Sequence, residues 1–344
     1  MSTKVLIVSD AWHPQVNGVV RTYEYLMQEL MASGHTCEVI GPADFPWTMP
    51  MPFYPEIRLV LSPYRRLKQM IEDYAPDKIH IATEGPLGWA ARRHCLQNKI
   101  EFTTSYHTQF PDYVAKRFAW LIPPLYDAVH RAGIRNVRRF HAPSSAVFVA
   151  TQSLAEQLES WNFKAPLKQM TRGVDFSVFH PGEKKILNDL KGPIALYVGR
   201  LAIEKNLEAF LNMDWPGSKV LVGDGPIRQS LQSRYPDALF AGKKTGHELA
   251  DYYRAADIFV FPSKTDTFGI VLIEALACGI PVAAYKVTGP KDIITEGYLG
   301  ALHETDLAAA AQKALKSPDP AKSHAHVREF YSWETAGKQF FESL

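Results

Sequence analysis

The chain has 344 residues, enough for two domains, and its 46% hydrophobic content is ordinary for a packed globular protein. A formal net charge of +2 gives no global basic field of the kind that draws nucleic acid, so a nucleic-acid partner is not expected. The three cysteines, Cys37, Cys95 and Cys278, are scattered and form no CxxC, which argues against a disulfide framework or a zinc site. No apolar run approaches the roughly 20 residues of a membrane span. Met1–Lys4 leads into a strand without a signal-peptide pattern. A cytoplasmic protein is expected, with any membrane contact peripheral and at the inner face of the plasma membrane.

Lys4 to Asp10 reads as a buried strand, followed by a loop to Gly18 and a helix from Val19 to Ser33 with Val20, Tyr23, Leu26, Met27, Leu30 and Met31 at helical spacing. Gly34 ends that helix and Cys37–Ile40 is the next strand, a βαβ unit that implies a parallel sheet with a right-handed crossover. The first loop is no GxGxxG, so the dinucleotide fingerprint is absent. Gly41–Pro55, rich in proline and aromatics, predicts an irregular loop, and Arg58–Leu61 a short strand. A helix over Tyr64–Tyr74, a strand over Lys78–Ala82, a helix over Pro86–Gln97 and a strand over Phe102–Tyr106 follow.

His107 stands at the carboxyl end of that last strand, where α/β folds bind ligands. A lone histidine is otherwise an ordinary structural residue. From Lys116 to His141 six cations, Lys116, Arg117, Arg131, Arg135, Arg138 and Arg139, face the single acid Asp127, beside the apolar patch Phe118–Pro124. On a helical projection Leu125, Val129, Ala132, Val137 and Phe140 fall on one side and the arginines on another. Two readings stand: a packed helix with a solvated basic face, or contact with an anionic membrane surface. Strands over Val147–Ala150 and Leu167–Met170 flank a helix over Ser153–Trp161.

The strand-turn-helix pattern restarts at Pro193–Leu207. Arg200 and Lys205 lie near a strand's carboxyl end and the following helix start, where cations suit a pyrophosphate, surface charge being the default reading. Lys219–Pro226 runs from a strand into a glycine turn, and Ala238–Gly242 is a strand and loop. After a helix over Leu249–Ala256, Asp257–Pro262 and Pro281–Ala284 read as buried parallel strands. Between them lie a loop with Asp266, Phe268 and Gly269, a helical run, and Cys278–Gly279 as its stop. Glu274 sits eight positions after Asp266 in an otherwise apolar helix, where a carboxylate is costly without a partner, unless it reaches solvent or caps a backbone group. Helices over Thr305–Leu315 and about Ser332–Ser343 close the chain, with Pro318-Asp319-Pro320 as a break between them.

Asp266 and Glu274 together resemble the acid-x7-acid signature of the retaining glycosyltransferases of family 4, which usually place Glu at the first position. Gly199-Arg200 with Lys205 is similar to that family's Gly-Arg followed by Lys, and Arg172–Pro181 to its domain junction. The region around His107 resembles the lipid-directed branch that includes sulfoquinovosyl- and mannosyltransferases. The resemblance covers nearly the whole chain and implies a GT-B fold: two Rossmann-like, doubly wound parallel-sheet domains facing across a cleft. Residues 1–176 would form the acceptor-side domain, with a terminal helix about 328–344 packing back on it. Residues 177–327 would bind the nucleotide sugar.

The implied reaction moves a hexosyl group from a UDP- or GDP-sugar with retention, without a cofactor. Arg200 and Lys205 would stabilise charge on the departing diphosphate. Asp266 would contact hydroxyls of the donor sugar, Glu274 the ribose hydroxyls, and the amides of Phe268 and Gly269 phosphate or sugar. Gly18 would face the diphosphate, unless it is a plain turn. Gly242 would lie where the base is chosen, and His107 would touch the transferred sugar. The sequence has no Asp-x-Asp, so no metal is expected. The acceptor expected from the glycolipid-making relatives is diacylglycerol or a related lipid. A soluble or polysaccharide acceptor, a sugar-nucleotide epimerase and a non-catalytic nucleotide-sugar sensor are the rival readings.

Overall fold

The computed structural model describes residues 2–15, 17–51, 54–107, 126–316 and 318–344, without the side chains of 54–57. Lys116, Arg117, the patch Phe118–Pro124 and Leu125 lie outside the described residues. The chain divides into two compact units, one of Met1–Thr171 with Trp333–Leu344 and one of Arg172–Ser332.

The first unit carries strands β1 (Lys4–Val8), β2 (Thr36–Ile40), β3 (Thr48–Met51), β4 (Tyr54–Val60), β5 (Lys78–Ile81), β6 (Phe102–Ser105), β7 (Val147–Val149) and β8 (Leu167–Gln169). Its helices are α1 (Gly18–Ala32), α2 (Tyr64–Tyr74), α3 (Pro86–Asn98), α4 (Tyr126–His141) and α5 (Gln152–Ser160). Six strands form a parallel sheet in the order β2-β1-β5-β6-β7-β8. The alternation along β1 divides the core: Leu6 and Val8 pack with Leu67, Ile79 and Leu87, while Val5 and Ile7 pack with Tyr23, Leu26 and Phe340. Helices thus cover both faces, as a parallel sheet requires.

β3 and β4 pair antiparallel, from Thr48 opposite Val60 to Met51 opposite Tyr54; the sequence predicts the strand at Arg58–Leu61 but an irregular loop over Gly41–Pro55, where β3 lies. The prolines of this two-stranded ribbon are tolerated because it has edges on both sides.

The second unit holds β9 (Ala195–Val198), β10 (Lys219–Val222), β11 (Leu239–Gly242), β12 (Ile258–Phe261), β13 (Val282–Tyr285) and β14 (Gly300–His303). Its helices are α6 (Leu207–Leu211), α7 (Arg228–Arg234), α8 (Gly246–Ala255), α9 (Ile270–Ala277), α10 (Pro290–Ile293), α11 (Leu307–Ala314) and α12 (Pro320–Phe330). The sheet is parallel, in the order β11-β10-β9-β12-β13-β14. That is the 3-2-1-4-5-6 arrangement of a doubly wound nucleotide-binding fold, with the order reversing between β9 and β12. Every residue of β9, β12 and β13 is buried. α9 ends as the sequence predicts: Ile280 N–H bonds the Ala275 carbonyl at 3.0 Å and Gly279 N–H that of Leu276 at 2.9 Å. α12 is an addition. Asp319, expected within a helix break, accepts from the Lys322 amide at 3.0 Å as N-cap, and Pro320 takes the first helical position.

The terminal helix α13 (Trp333–Glu342) lies on α1 of the first unit. Trp333 stacks on Tyr25 with ring centroids 4.5 Å apart, and Gln339 accepts from the Thr171 amide at 2.8 Å. At Gly337 an added Cβ would come within 2.8 Å of Glu29 Cβ, an atom too close to the α1 backbone to move aside. Gly337→Val should therefore lower stability by about 1–3 kcal/mol despite valine's better helix propensity. A lowered thermal midpoint of the first unit checks this, and an unchanged midpoint contradicts it.

Candidate functional site

In the second unit the candidate residues collect where the strand order reverses. Arg200 lies exposed on the loop after β9, its carbonyl accepting from the Tyr197 hydroxyl at 3.0 Å. That loop continues as a 3-10 turn, Ile203–Lys205, and the side chain of Lys205 crosses to the loop after β12. Its Nζ donates to Asp266 Oδ1 at 2.5 Å, with both side chains about one-fifth exposed. Asn206, in the left-handed region at φ 54°, ties the same two loops by donating to the Pro262 carbonyl at 3.1 Å. Burial pushes the Tyr197 hydroxyl well above its ordinary pKa, with the Asp266 and Glu204 charges adding to the effect.

Asp266 therefore has one oxygen neutralised by an ammonium. Its other oxygen, Oδ2, is buried and receives no hydrogen bond from the described residues; the same holds for the Ser263 hydroxyl. Such groups are expensive unless something donates to them. After Asp266, Phe268 is buried and edge-on to Tyr331 at 5.9 Å, and Gly269 stands at the N-cap of α9 with φ 88°. The positive φ explains the glycine. A Cβ there would also press on Phe261 and Leu272 at 3.2 and 3.1 Å.

Glu274 lies one turn further into α9 and is only 5% exposed. It is buried away from bulk solvent, and the Tyr253 hydroxyl of α8 donates to its Oε2 at 2.9 Å. Gly242 ends β11 at the same sheet edge, with φ 76° and its carbonyl accepting from the Gly223 amide at 2.9 Å. The structure thus brings Lys205 and Asp266 into contact and sets Arg200, Phe268 and Gly269 on the two adjoining loops. Glu274 is placed behind them, inside α9. Sequence reasoning missed Asn206, Tyr253 and Ser263. The pattern of the sequence gave no signal for Tyr253, whose partner is 21 residues away.

In the first unit Gly18 begins α1, exposed, directly after the N-cap Asn17, whose side chain accepts from the Val19 and Val20 amides at 2.9 and 3.1 Å. His107, half-buried at the end of β6, meets the Tyr23 hydroxyl at 2.9 Å through Nε2. The same hydroxyl lies 2.8 Å from His80 Nε2 and 2.9 Å from Ser105 Oγ. A phenol has one proton and two lone pairs, so one of these three partners accepts and two donate. Burial pulls the His80 pKa down to about 3, helped by the nearby His141, so His80 is neutral with one donor and one acceptor nitrogen. Its Nδ1 faces Thr103 Oγ1 at 2.8 Å. The residues after His107 up to Leu125 lie outside the described residues.

Asp10 was legible only as the end of a strand. Its carboxylate caps α3, accepting from the Leu87 and Gly88 amides at 2.9 and 3.2 Å and from the Thr83 hydroxyl at 3.0 Å. Burial nonetheless raises its pKa to about 6, the amide hydrogen bonds opposing and Glu84 adding to the rise. Glu84, beside it, faces the fully buried His141 at 3.1 Å. Among the described residues no group of three or more His, Cys, Asp or Glu side chains gathers as a metal site, and no helix is long and apolar enough to cross a membrane.

The sign of the Asp10 shift is testable. A carboxyl raised in the folded state binds its proton more tightly there than in the unfolded chain. Its contribution to stability is complete below about pH 4 and is lost as pH rises through about 6. Asp10→Asn, which keeps an acceptor for one amide, should flatten the fall in stability across that window. Urea melts at intervals of pH check it. An unchanged slope would show that Asp10 titrates normally.

Comparison with known proteins bears on these two units directly. Residues 16–178 match the family described as Glycosyltransferase Family 4, and residues 182–329 match Glycosyl transferases group 1. A sulfoquinovosyl transferase of Arabidopsis thaliana is 31% identical over 82% of this chain, which spans 55% of that longer protein. A GDP-mannose-dependent alpha-mannosyltransferase of Corynebacterium glutamicum is 30% identical over 99% of this chain and 86% of its own length. An alpha-monoglucosyldiacylglycerol synthase of Streptococcus pneumoniae is 26% identical over 98% and 85%. Among solved structures, sucrose-phosphate synthase from Thermosynechococcus elongatus superposes with a TM-score of 0.75 at 22% identity, over 99% of this chain and 98% of its own. The Anabaena protein HepE, solved with UDP-glucose, gives 0.72 at 15% identity over 99% of each. Two parallel-sheet α/β units, the matched family descriptions and relatives at this identity together establish that the chain is an enzyme of the GT-B fold, a glycosyltransferase of family 4.

Proposed function

We propose that the enzyme transfers a hexosyl group from a UDP- or GDP-sugar to a membrane lipid, diacylglycerol or a close relative, with retention at the anomeric carbon and without a metal or other cofactor. The observation that carries the donor half is the Lys205–Asp266 contact at the reversal of strand order, with Asp266 Oδ2 buried and unserved by the described residues. A sugar hydroxyl is a donor of the right kind for that oxygen. Lys205, one side chain away, and the exposed Arg200 supply positive charge for the diphosphate.

In the proposed step the bond from the anomeric carbon to the diphosphate oxygen breaks, an acceptor oxygen bonds that carbon on the same face, and the acceptor's proton passes to the leaving diphosphate oxygen. Negative charge gathers on the leaving diphosphate. Arg200, Lys205 and the N-terminus of α9 behind Gly269 would stabilise it more than they stabilise the ground state. Glu274, aligned by Tyr253, would accept from the ribose hydroxyls, and Gly242 would border the base. From the first unit, Gly18 would approach the diphosphate. His107, its orientation fixed by Tyr23, would contact the transferred sugar.

The names of the relatives support the acceptor half. The monoglucosyldiacylglycerol synthase takes its name from a glycolipid and spans nearly this whole chain. The GDP-mannose-dependent relative gives GDP-mannose a place beside UDP-sugars among the donors to be tried.

The reading is tested by offering UDP- and GDP-sugars with membrane lipid extract and determining the anomeric configuration of the product by NMR. A single donor should give an α-linked glycolipid from an α-linked donor. Product formed only on soluble saccharides would overturn the lipid acceptor, and conversion of the sugar nucleotide with no acceptor would indicate an epimerase. Lys205→Ala should lower kcat/KM by roughly 10²-fold or more, the scale of losing a charge stabiliser at a leaving group. Asp266→Asn should act mainly through the sugar, changing donor preference. EDTA should leave the rate unchanged; loss of activity restored by Mn²⁺ would refute the metal-independent reading.

A further inference from the structure

The first unit carries a second charged site, remote in sequence from every residue given a role above. Arg135, Arg138 and Arg139 on α4, with Ala142, line a cavity of about 290 Å³ whose opposite wall is Asn162, Phe163 and Lys164, just beyond α5. The spacing i, i+3, i+4 puts the three arginines on one helical face. No carboxylate among the described residues pairs with any of these arginines or with Lys164, although ion pairs are made elsewhere in the unit, such as Lys68 with Glu72. Arg139 shares the face of Trp89 with Arg92, at 6.0 and 5.1 Å from the ring. The pKa of Arg92 is lowered, first by its burial and then by the charge of Arg139.

Helix stability accounts for part of this arrangement and not for the rest. Arg138 and Arg139 lie in the last turn of α4, where cations meet the negative end of the helix dipole. Arg135 stands a turn earlier and Lys164 belongs to a different segment, so the dipole explains neither. Four like charges around one concavity repel each other. An anion placed among them relieves that repulsion, and guanidinium groups match phosphate oxygens in a bidentate fork. Phe163, half-buried, gives the cavity an apolar side suited to the carbons of an ester. The volume is at the small end of ligand pockets, near 300 Å³, the size for a headgroup rather than for a whole lipid.

We propose that this cavity is a binding site for a phosphate ester, held by Arg135, Arg138, Arg139 and Lys164 and separate from the nucleotide-sugar site. The phosphate could be carried by the headgroup of an anionic lipid or by a free phosphate ester. The site does not depend on the donor reading, since none of its residues has a part in that reading.

The test uses the full chain and four probes: vesicles of equimolar phosphatidylglycerol and phosphatidylcholine, vesicles of phosphatidylcholine alone, glycerol 3-phosphate and inorganic phosphate. Two double variants are compared. Arg135→Gln with Lys164→Gln removes two exposed cations from the cavity; Arg65→Gln with Arg131→Gln removes the same charge from exposed positions outside it. The cavity variant should lose about tenfold or more in affinity for the phosphate-bearing probe, and the control variant should bind as the parent does. Binding to the phosphatidylglycerol vesicles alone identifies a lipid headgroup; binding to glycerol 3-phosphate or phosphate without the vesicles identifies a free ester. Equal losses in both variants would reduce the site to diffuse charge and overturn the proposal, as would a parent protein that binds none of the phosphate probes. UDP- and GDP-sugar binding, measured alongside, should be the same in both variants, so failure here leaves the donor site untouched.

Discussion

The contact between Lys205 and Asp266 depends on one topological fact, the reversal of strand order between β9 and β12. Adjacent parallel strands whose connections leave in opposite directions open a crevice between their carboxyl-end loops. A cation from one loop and an acid from the other can meet there without either loop crossing the sheet. The apolar strands, the turn at Gly269 and the tightly closed end of α9 hold these loops in register. In this pair the ammonium donates to only one of the two carboxylate oxygens. A buried carboxylate oxygen with no donor from the described residues marks the pair as built for something polar beyond itself.

The first unit solves a related problem with neutral groups. Tyr23 gathers His80, Ser105 and His107 around a single hydroxyl, and burial keeps His80 uncharged. Asp10 sits at the corresponding reversal in that sheet, between β1 and β5, but its lone pairs are committed to α3 and Thr83. The same topological position thus serves different ends: a helix cap in one sheet, and in the other an acid with an oxygen to spare.

How much of this the sequence announces depends on how local the physics is. The parallel strands are short apolar runs between glycine turns, and every one of those expected in the second unit is present. Arg200, Lys205, Asp266 and Glu274 stood out because they lie in short local motifs that resemble the family's. Of the β3–β4 ribbon only the Arg58–Val60 end of β4 was legible, since Pro50 in β3 and Pro55 in β4 broke the alternation that signals a strand. α12 was missed for the opposite reason: proline, taken as a breaker, is the first residue of that helix. Of the apolar side projected for α4, Val137 and Phe140 pack inward while Ala132 is exposed; His141 is buried against Glu84. The Tyr23 and Asp10 networks join residues 57 to 84 positions apart, and no pattern along the chain encodes such contacts.

The most direct test of the central claim is a crystal structure of the enzyme with its nucleotide sugar bound. The account predicts Lys205 Nζ within about 2.7–3.2 Å of a diphosphate oxygen and a sugar hydroxyl donating to Asp266 Oδ2. A donor seated away from the β9–β12 reversal, with Lys205 still closed on Asp266 and no hydroxyl at Oδ2, would contradict it.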